Sequence, residues 1–171
     1  MISWLAQERF LVMPDPATPA DPLCGICDLH ANAAELAQHE IWRNDHWLLR
    51  HHPQPAPLLG WCLLDSLRHL SGPSQFEPEE AMEWGVVVQN ASMLVQSVTG
   101  CDRVYAIAFG EGARHLHLHL IPRFADDPRT SAWSVADHYR AVASGEVPAV
   151  SNSGLLEAVT QARVIASAWV I

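Results

Sequence analysis

Three histidines, His115, His117 and His119, alternate with Leu116 and Leu118. In an extended strand, side chains two residues apart lie on the same face, so the three imidazoles share one face and the leucines point from the other into a core. The leucine face fixes the register, because a slip of one residue would bury the histidines and expose the leucines. A row of imidazoles can bind a metal, transfer protons or attack an electrophile. The pattern therefore predicts a strand that carries a functional site.

Two cysteines, Cys24 and Cys27, are separated by two residues. Their thiolates can reach one tetrahedral Zn²⁺, which then needs two further ligands. A thioredoxin-like redox pair is the alternative, because a segment with helical character follows. That redox motif normally follows a buried strand, whereas here residues 14–22 contain four prolines. The spacing therefore favours a metal site over a redox pair or cysteines without a special role.

The elements that position these residues follow from hydrophobic periodicity and turn residues. Strands are predicted over residues 40–43, 47–51, 60–65, 103–109 and 114–121, the last two joined as a hairpin. A long helix begins at Pro78 and ends at a Gly100 cap, and further helices are predicted over residues 31–38, 133–144 and 154–168. Strands on both sides of one long helix predict an α+β fold on an antiparallel sheet.

Composition limits the class of protein. With 171 residues, of which 49% are hydrophobic, residues 1–171 are predicted to form one domain with a substantial core. The net charge of −9 argues against nucleic-acid binding, which depends on a basic surface. No apolar run is long enough for a membrane span, and residues 1–13 contain Glu8 and Arg9 where a signal peptide would be apolar. We therefore expect a cytoplasmic protein without a membrane partner.

The histidine pattern, which continues into Ile121-Pro122-Arg123, resembles the signature of the histidine-triad family of nucleotide hydrolases and transferases. The early cysteine pair is similar to that of the zinc-binding Cys-x-x-Cys branch. The resemblance covers residues 21–125 and leaves 126–171 as a C-terminal helical extension. It implies about five antiparallel strands and a homodimer built through the long helix and an adjacent strand.

The resemblance also implies a ligand set for the metal. A histidine before the long helix and the first triad histidine complete the structural Zn²⁺ site of zinc-bearing members. Here these residues are His69 and His115, which join Cys24 and Cys27. His51 and His52 are nearby competitors for the position of His69.

For catalysis, the resemblance implies that His117 attacks the α-phosphorus of a nucleoside phosphate adduct. Dinucleoside polyphosphates and nucleotide phosphoramidates are adducts of this type. A covalent nucleotidyl-histidine forms and is then resolved by water or another acceptor. His115 and His119 would donate to the phosphate oxygens, and His119 could also donate a proton to the leaving group.

An acidic protein needs local donors to hold a phosphate, and Gly110, Gly112, Arg114 and Arg123 are the candidates, although the arginines could equally be solvated. The loop over residues 109–114 lacks the Asn, Ser and Gln that hold phosphate in many family members, and its Glu111 is unfavourable for an anion. A Gly60-Trp61 pair stands where the family has Gly-His.

Two other functions stay open at this point. One is a non-catalytic, zinc-stabilised nucleotide-binding module, which the departures in the loop favour. The other is a metallohydrolase with a three-histidine site. Alternate residues of a strand are about 6.6 Å apart, a spacing that suits one tetrahedral ion poorly.

Overall fold

Five strands form a single antiparallel sheet in the part of the chain that the structure describes. The computed structural model describes residue 21, residues 23–110 and residues 112–171, so the predictions for residues 1–20, for residue 22 and for Glu111 lie outside it. The strand order is β1-β2-β3-β5-β4, which confirms the predicted sheet. The strands are β1 (Glu40–Arg43), β2 (Trp47–His51), β3 (Cys62–Ser66), β4 (Arg103–Ala108) and β5 (His117–Arg123).

The described part of the chain also forms the α-helices α1 (Gly25–Ala31), α2 (Ala33–Leu36), α3 (Pro78–Thr99), α4 (Val135–Ala143) and α5 (Asn152–Ala166). None of them combines the length and the apolar character that crossing a membrane requires. The short helix predicted over residues 31–38 is present as α2, with narrower bounds, whereas α1 was not predicted. Asn32 ends α1 and begins α2, because its side chain accepts a hydrogen bond from the backbone N–H of Glu35.

The long helix α3 forms where the sequence predicts it. Pro78 occupies the first position, Glu77 and Glu80 form a capping box, and Gly100 ends the helix with a left-handed φ of 68°. The apolar stripe of α3 packs with α5 on one face of the sheet, where Leu116, Leu118 and Leu120 are buried in the main core. The predicted leucine face is therefore confirmed.

The opposite face, which carries the histidines, is also covered. His115 and His119 are only 1% and 7% exposed, whereas the register argument expects an open histidine face. A second, smaller core of Leu58, Trp61, Ile121 and Val135 packs there. Helix α4 supplies Val135, and it is held in place by a 3.0 Å hydrogen bond between His138 Nε2 and the carbonyl of Pro57. The C-terminal helices thus cover both faces of the sheet.

Candidate functional site

The middle histidine of the triad is held by its own backbone. His117 Nδ1 lies 2.6 Å from the carbonyl oxygen of His115. A carbonyl only accepts hydrogen bonds, so Nδ1 carries a hydrogen, and in the neutral tautomer of this ring Nε2 is the nitrogen with the lone pair. His117 is half-buried and lines a cavity. This arrangement fixes the tautomer in which Nε2 is the nucleophilic nitrogen.

The third histidine is held by a tryptophan. The indole N–H of Trp61 donates to Nδ1 of His119 over 3.0 Å. An indole nitrogen is only a donor, so Nδ1 is the acceptor and Nε2 carries the hydrogen. Burial, with smaller contributions from His117, His52 and Arg50, lowers the pKa of His119 to about 3. His119 is therefore a neutral hydrogen-bond donor at neutral pH.

A cavity of about 440 Å³ lies beside these two histidines. Its other walls are aromatic and aliphatic with one cation, and they come from Trp61, Phe109, Gly112, Val135, Ala136, Tyr139 and Arg140. Four of these residues belong to α4, in the extension for which sequence reasoning predicted helices but no site residues. The sequence predicted a helix over residues 133–144 but not the surface on which it packs.

Four potential metal ligands converge on the other side of the triad. One ligand atom from each of Cys24, Cys27, His69 and His115 lies within 4.8 Å of every other. Cys27 Sγ is 3.2 Å from His69 Nδ1 and 3.4 Å from His115 Nδ1, and Cys24 Sγ is 3.7 Å from His115 Nδ1. Zn–S bonds of 2.3 Å and Zn–N bonds of 2.0–2.1 Å at tetrahedral angles place S and N about 3.5 Å apart. The cluster thus has both the donor set and the size of a zinc site.

The ring of His115 is oriented for this role. Its Nε2 lies 2.7 Å from the carbonyl oxygen of Ser66 and must donate to it, which leaves the Nδ1 lone pair facing both thiols. Burial lowers the pKa of His115 to about 4, so the ring is neutral, as a metal ligand must be. The competing His51 has both ring nitrogens engaged elsewhere, by the carbonyl of His52 and the backbone N–H of Gly60.

A buried charge network lies next to the triad. The carboxylate of Asp65, which is fully buried, accepts a 2.6 Å hydrogen bond from Arg50 Nε and lies 3.1 Å from His30 Nε2. Asp65 is directly opposite His117 in the β3–β5 pairing, and the ring of His30 meets that of His115 edge-on at 5.4 Å. The network joins α1, which carries Cys27, to the strand that precedes β5 in the sheet order. Sequence reasoning missed it, although an Asp inside the apolar run of β3 was a visible signal.

The predicted phosphate contacts are not all in one place. Gly112 lines the cavity, Gly110 lies in the same loop, and Arg114 is exposed directly before the triad. Arg123 is at the opposite end of β5, about 20 Å along the strand from His117. Its Nη1 donates to Thr130 Oγ1 over 3.0 Å and to the carbonyl of Asp127 over 3.2 Å.

Comparison with solved structures returns histidine-triad proteins. A Hit-like protein from Bartonella henselae, involved in cell-cycle regulation and solved with an unknown ligand, is 17% identical, with a TM-score of 0.61 over 86% of this chain and 99% of that one. A Zn-bound histidine triad family protein from Mycobacterium smegmatis is 14% identical, with a TM-score of 0.58 over 82% and 91%. A hypothetical histidine triad nucleotide-binding protein from Sulfolobus tokodaii is 16% identical, with a TM-score of 0.50 over 77% and 90%.

No protein-family model matches the sequence, and no curated protein is significantly similar to it. The similarity is therefore one of fold, and it agrees with the strand order and the long helix. The chain has the α+β fold of the histidine-triad proteins.

Proposed function

We propose that this chain is a histidine-triad nucleotide hydrolase or nucleotidyltransferase that attacks the α-phosphorus of a nucleoside phosphate adduct through a covalent nucleotidyl-His117. The observation that carries the proposal is the bond from His117 Nδ1 to the carbonyl of His115, because it leaves Nε2 as a free nucleophile in a residue that lines the cavity. The similarity to a structure named as nucleotide-binding supports the substrate class.

The reaction proceeds in two displacements. The Nε2 lone pair of His117 forms a bond to the α-phosphorus while the bond to the leaving group breaks and its electron pair departs with that group. The positive charge left on the imidazole is stabilised by its Nδ1–H bond to the carbonyl of His115. Water or an acceptor hydroxyl then attacks the phosphorus and loses its proton to solvent, while the P–N bond breaks and its electron pair returns to Nε2.

The remaining roles follow from position. His119 lines the cavity and donates its Nε2–H to the phosphate oxygens. The backbone amides of Gly110 and Gly112, with the exposed Arg114, supply further phosphate contacts from the loop. Arg123 would have to exchange its bond to Thr130 for a contact with substrate. His115 orients His117 through its carbonyl, while its ring belongs to the cysteine cluster.

We also propose that Cys24, Cys27, His69 and His115 hold a structural Zn²⁺. The donor set, the separations of 3.2–3.7 Å and the orientation of His115 by Ser66 support it. A zinc ion with four protein ligands is closed to substrate and fixes α1 against the triad strand.

We further propose that the protein is a cytoplasmic homodimer that does not bind nucleic acid or a membrane. Among the described residues, β4 pairs only with β5 and forms an edge of the sheet, and none of its six residues is fully buried. Met82, Val86 and Met93 form an apolar stripe on α3 and are 75%, 41% and 60% exposed. An unpaired edge beside an exposed apolar stripe is the surface that a second copy would cover.

The two alternatives are separated by particular contacts. A three-histidine metal site needs His115 and His117 to share an ion, but both nitrogens of His115 and Nδ1 of His117 have other partners. A non-catalytic binding module is favoured by the loop before the triad, which lacks the family's amide and hydroxyl side chains.

The test is a panel of nucleotide adducts assayed for release of a mononucleotide. Wild-type protein should turn over at least one adduct in the presence of a mild chelator and carry a mononucleotide on His117 after acid quenching. His117→Ala should lower turnover at least about 10³-fold, which corresponds to an increase of about 4 kcal/mol in the activation barrier. Its nucleotide binding and zinc content should be unchanged. His46→Ala, which removes a histidine paired with Glu83 outside the cavity lining, is the control. Binding without turnover would establish the module instead.

A further inference from the structure

Trp61 makes a directed polar contact deep in the site. Its side chain is almost completely buried, at 1% exposure, and its indole N–H points at Nδ1 of His119. Its ring also packs against those of His52 and Tyr139, with centroids 5.8 and 5.7 Å away. Because the side chain is buried among these rings and its N–H donates to His119, the contact with His119 belongs to the built site.

We propose that Trp61 is a positioning residue that holds His119 as a neutral Nε2–H donor, and that the site consequently prefers phosphoanhydride substrates to phosphoramidates. The preference rests on the proposed function, whereas the tautomer of His119 does not. The indole N–H occupies the only nitrogen on which His119 could take up a second proton. Protonation would place two N–H groups against each other within 3.0 Å.

The charged groups around His119 also favour its neutral form. The titratable and charged groups that face it from the neighbouring elements are His117, His52, Arg50, Asp65, Tyr139 and Arg140. The one carboxylate among them, Asp65, is already paired with Arg50 at 2.6 Å. Among these described residues there is therefore no unpaired anion that would favour an imidazolium.

A neutral third histidine limits the leaving groups that the site can expel. When a phosphoanhydride is cleaved, the P–O bond breaks and the electron pair leaves on a phosphate whose pKa of about 6 requires no proton at neutral pH. When a phosphoramidate is cleaved, the nitrogen must receive a proton as the P–N bond breaks, because an amine is far more basic, with a pKa of about 10. A general acid works best with a pKa near the operating pH, and His119 in this tautomer is far from that condition.

The tautomer is tested directly by long-range ¹⁵N–¹H correlation spectra of histidine-labelled protein, with the His119 signals assigned from a His119→Gln sample. Wild type should show the Nε2–H tautomer and no protonation of His119 down to pH 5. Trp61→Phe keeps an aromatic ring but removes the donor, and it should allow His119 to titrate at least one pH unit higher. Trp47→Phe is the matched control, because Trp47 is also fully buried but its indole nitrogen has no hydrogen-bond partner among the residues that the structure describes. Its His119 signals should match wild type.

The wild-type spectrum decides the positioning role even if Trp61→Phe does not fold. An Nδ1–H tautomer, or protonation of His119 near pH 6.5, would overturn it. The preference is tested with a dinucleoside triphosphate and a nucleoside phosphoramidate of the same base. At pH 7 wild type should favour the anhydride by at least tenfold in kcat/KM, and Trp61→Phe should narrow that ratio at least threefold at pH 6, while Trp47→Phe leaves it unchanged.

The outcomes separate the two proposals. The expected tautomer without turnover of any adduct refutes the proposed function and the preference, and leaves the positioning role established. Turnover with equal kcat/KM for both substrates refutes the preference alone.

Discussion

Replacing Asp65 with Asn removes the central charge of the network beside the triad. The Arg50 guanidinium, which is 2% exposed, would stay buried without a counter-charge. Breaking a buried pair by removing one partner costs about 3–5 kcal/mol, because the remaining charge is not solvated. We therefore expect the free energy of unfolding in urea to fall by about that amount, and the acceptor of the 3.1 Å contact with His30 to lose its charge as well.

Two further variants isolate the cause. Glu40→Gln breaks an ion pair with Arg43 whose side chains are 26% and 46% exposed, so it should cost no more than about 1 kcal/mol. Arg50→Leu combined with Asp65→Leu removes both buried charges, and it should recover most of the loss of Asp65→Asn. If Asp65→Asn costs no more than Glu40→Gln, the network does not stabilise the fold and the reasoning fails.

The pH dependence gives an independent check. Burial alone would raise the pKa of Asp65, but the charge of Arg50 and the hydrogen bonds from Arg50 and His30 outweigh it and lower the pKa below its ordinary value of 3.8. A carboxyl with a lowered pKa in the folded state stabilises the fold above its unfolded pKa and loses that effect as the pH falls through the folded value. The difference between wild type and Asp65→Asn should therefore be constant from pH 8 to about pH 5 and shrink below about pH 4.

Two predictions concern the metal and the assembly. Cys27→Ser should reduce zinc, measured by elemental analysis after purification without chelator, from nearly one per chain to below about 0.3, whereas Cys101→Ser, outside the cluster, should retain it. Met93→Glu should convert a particle of about twice 18.9 kDa in light scattering into one of 18.9 kDa, whereas Val164→Glu on α5 should not. Wild type that is already monomeric at micromolar concentration would refute the dimer.

Local sequence patterns predicted the main strands and the long helix well. Strands β1 and β2 have the predicted bounds, and α3 runs between the Pro78 start and the Gly100 cap. These features depend on neighbours within four residues, through turn chemistry and apolar periodicity. The burial of Leu118 in the core was also predictable, because each side chain of a strand can point only to one or the other face of the sheet.

The contacts that give the site its chemistry are between residues distant in the sequence. Trp61 meets His119 across 58 positions, and Tyr139 of α4 reaches the same cavity from the C-terminal extension. Periodicity identifies an apolar or aromatic face but does not identify its partner. The start of α1 at Gly25 was missed because Cys24, its N-cap, has no side-chain capping bond and gives none of the usual sequence cues.

One residue type takes three roles over five residues of chain, because His115 lies just before β5 and His117 and His119 lie within it, so that each imidazole meets a different neighbour. His115 faces the thiols of the N-terminal segment, His117 is held by a backbone carbonyl, and His119 by an indole. The first two are coupled without sharing a ligand, since the carbonyl that orients His117 belongs to the residue whose ring faces Cys27. Movement of His115 would therefore change the direction of the Nε2 lone pair of His117. The cysteine cluster can thus influence the nucleophile while lying entirely outside the cavity.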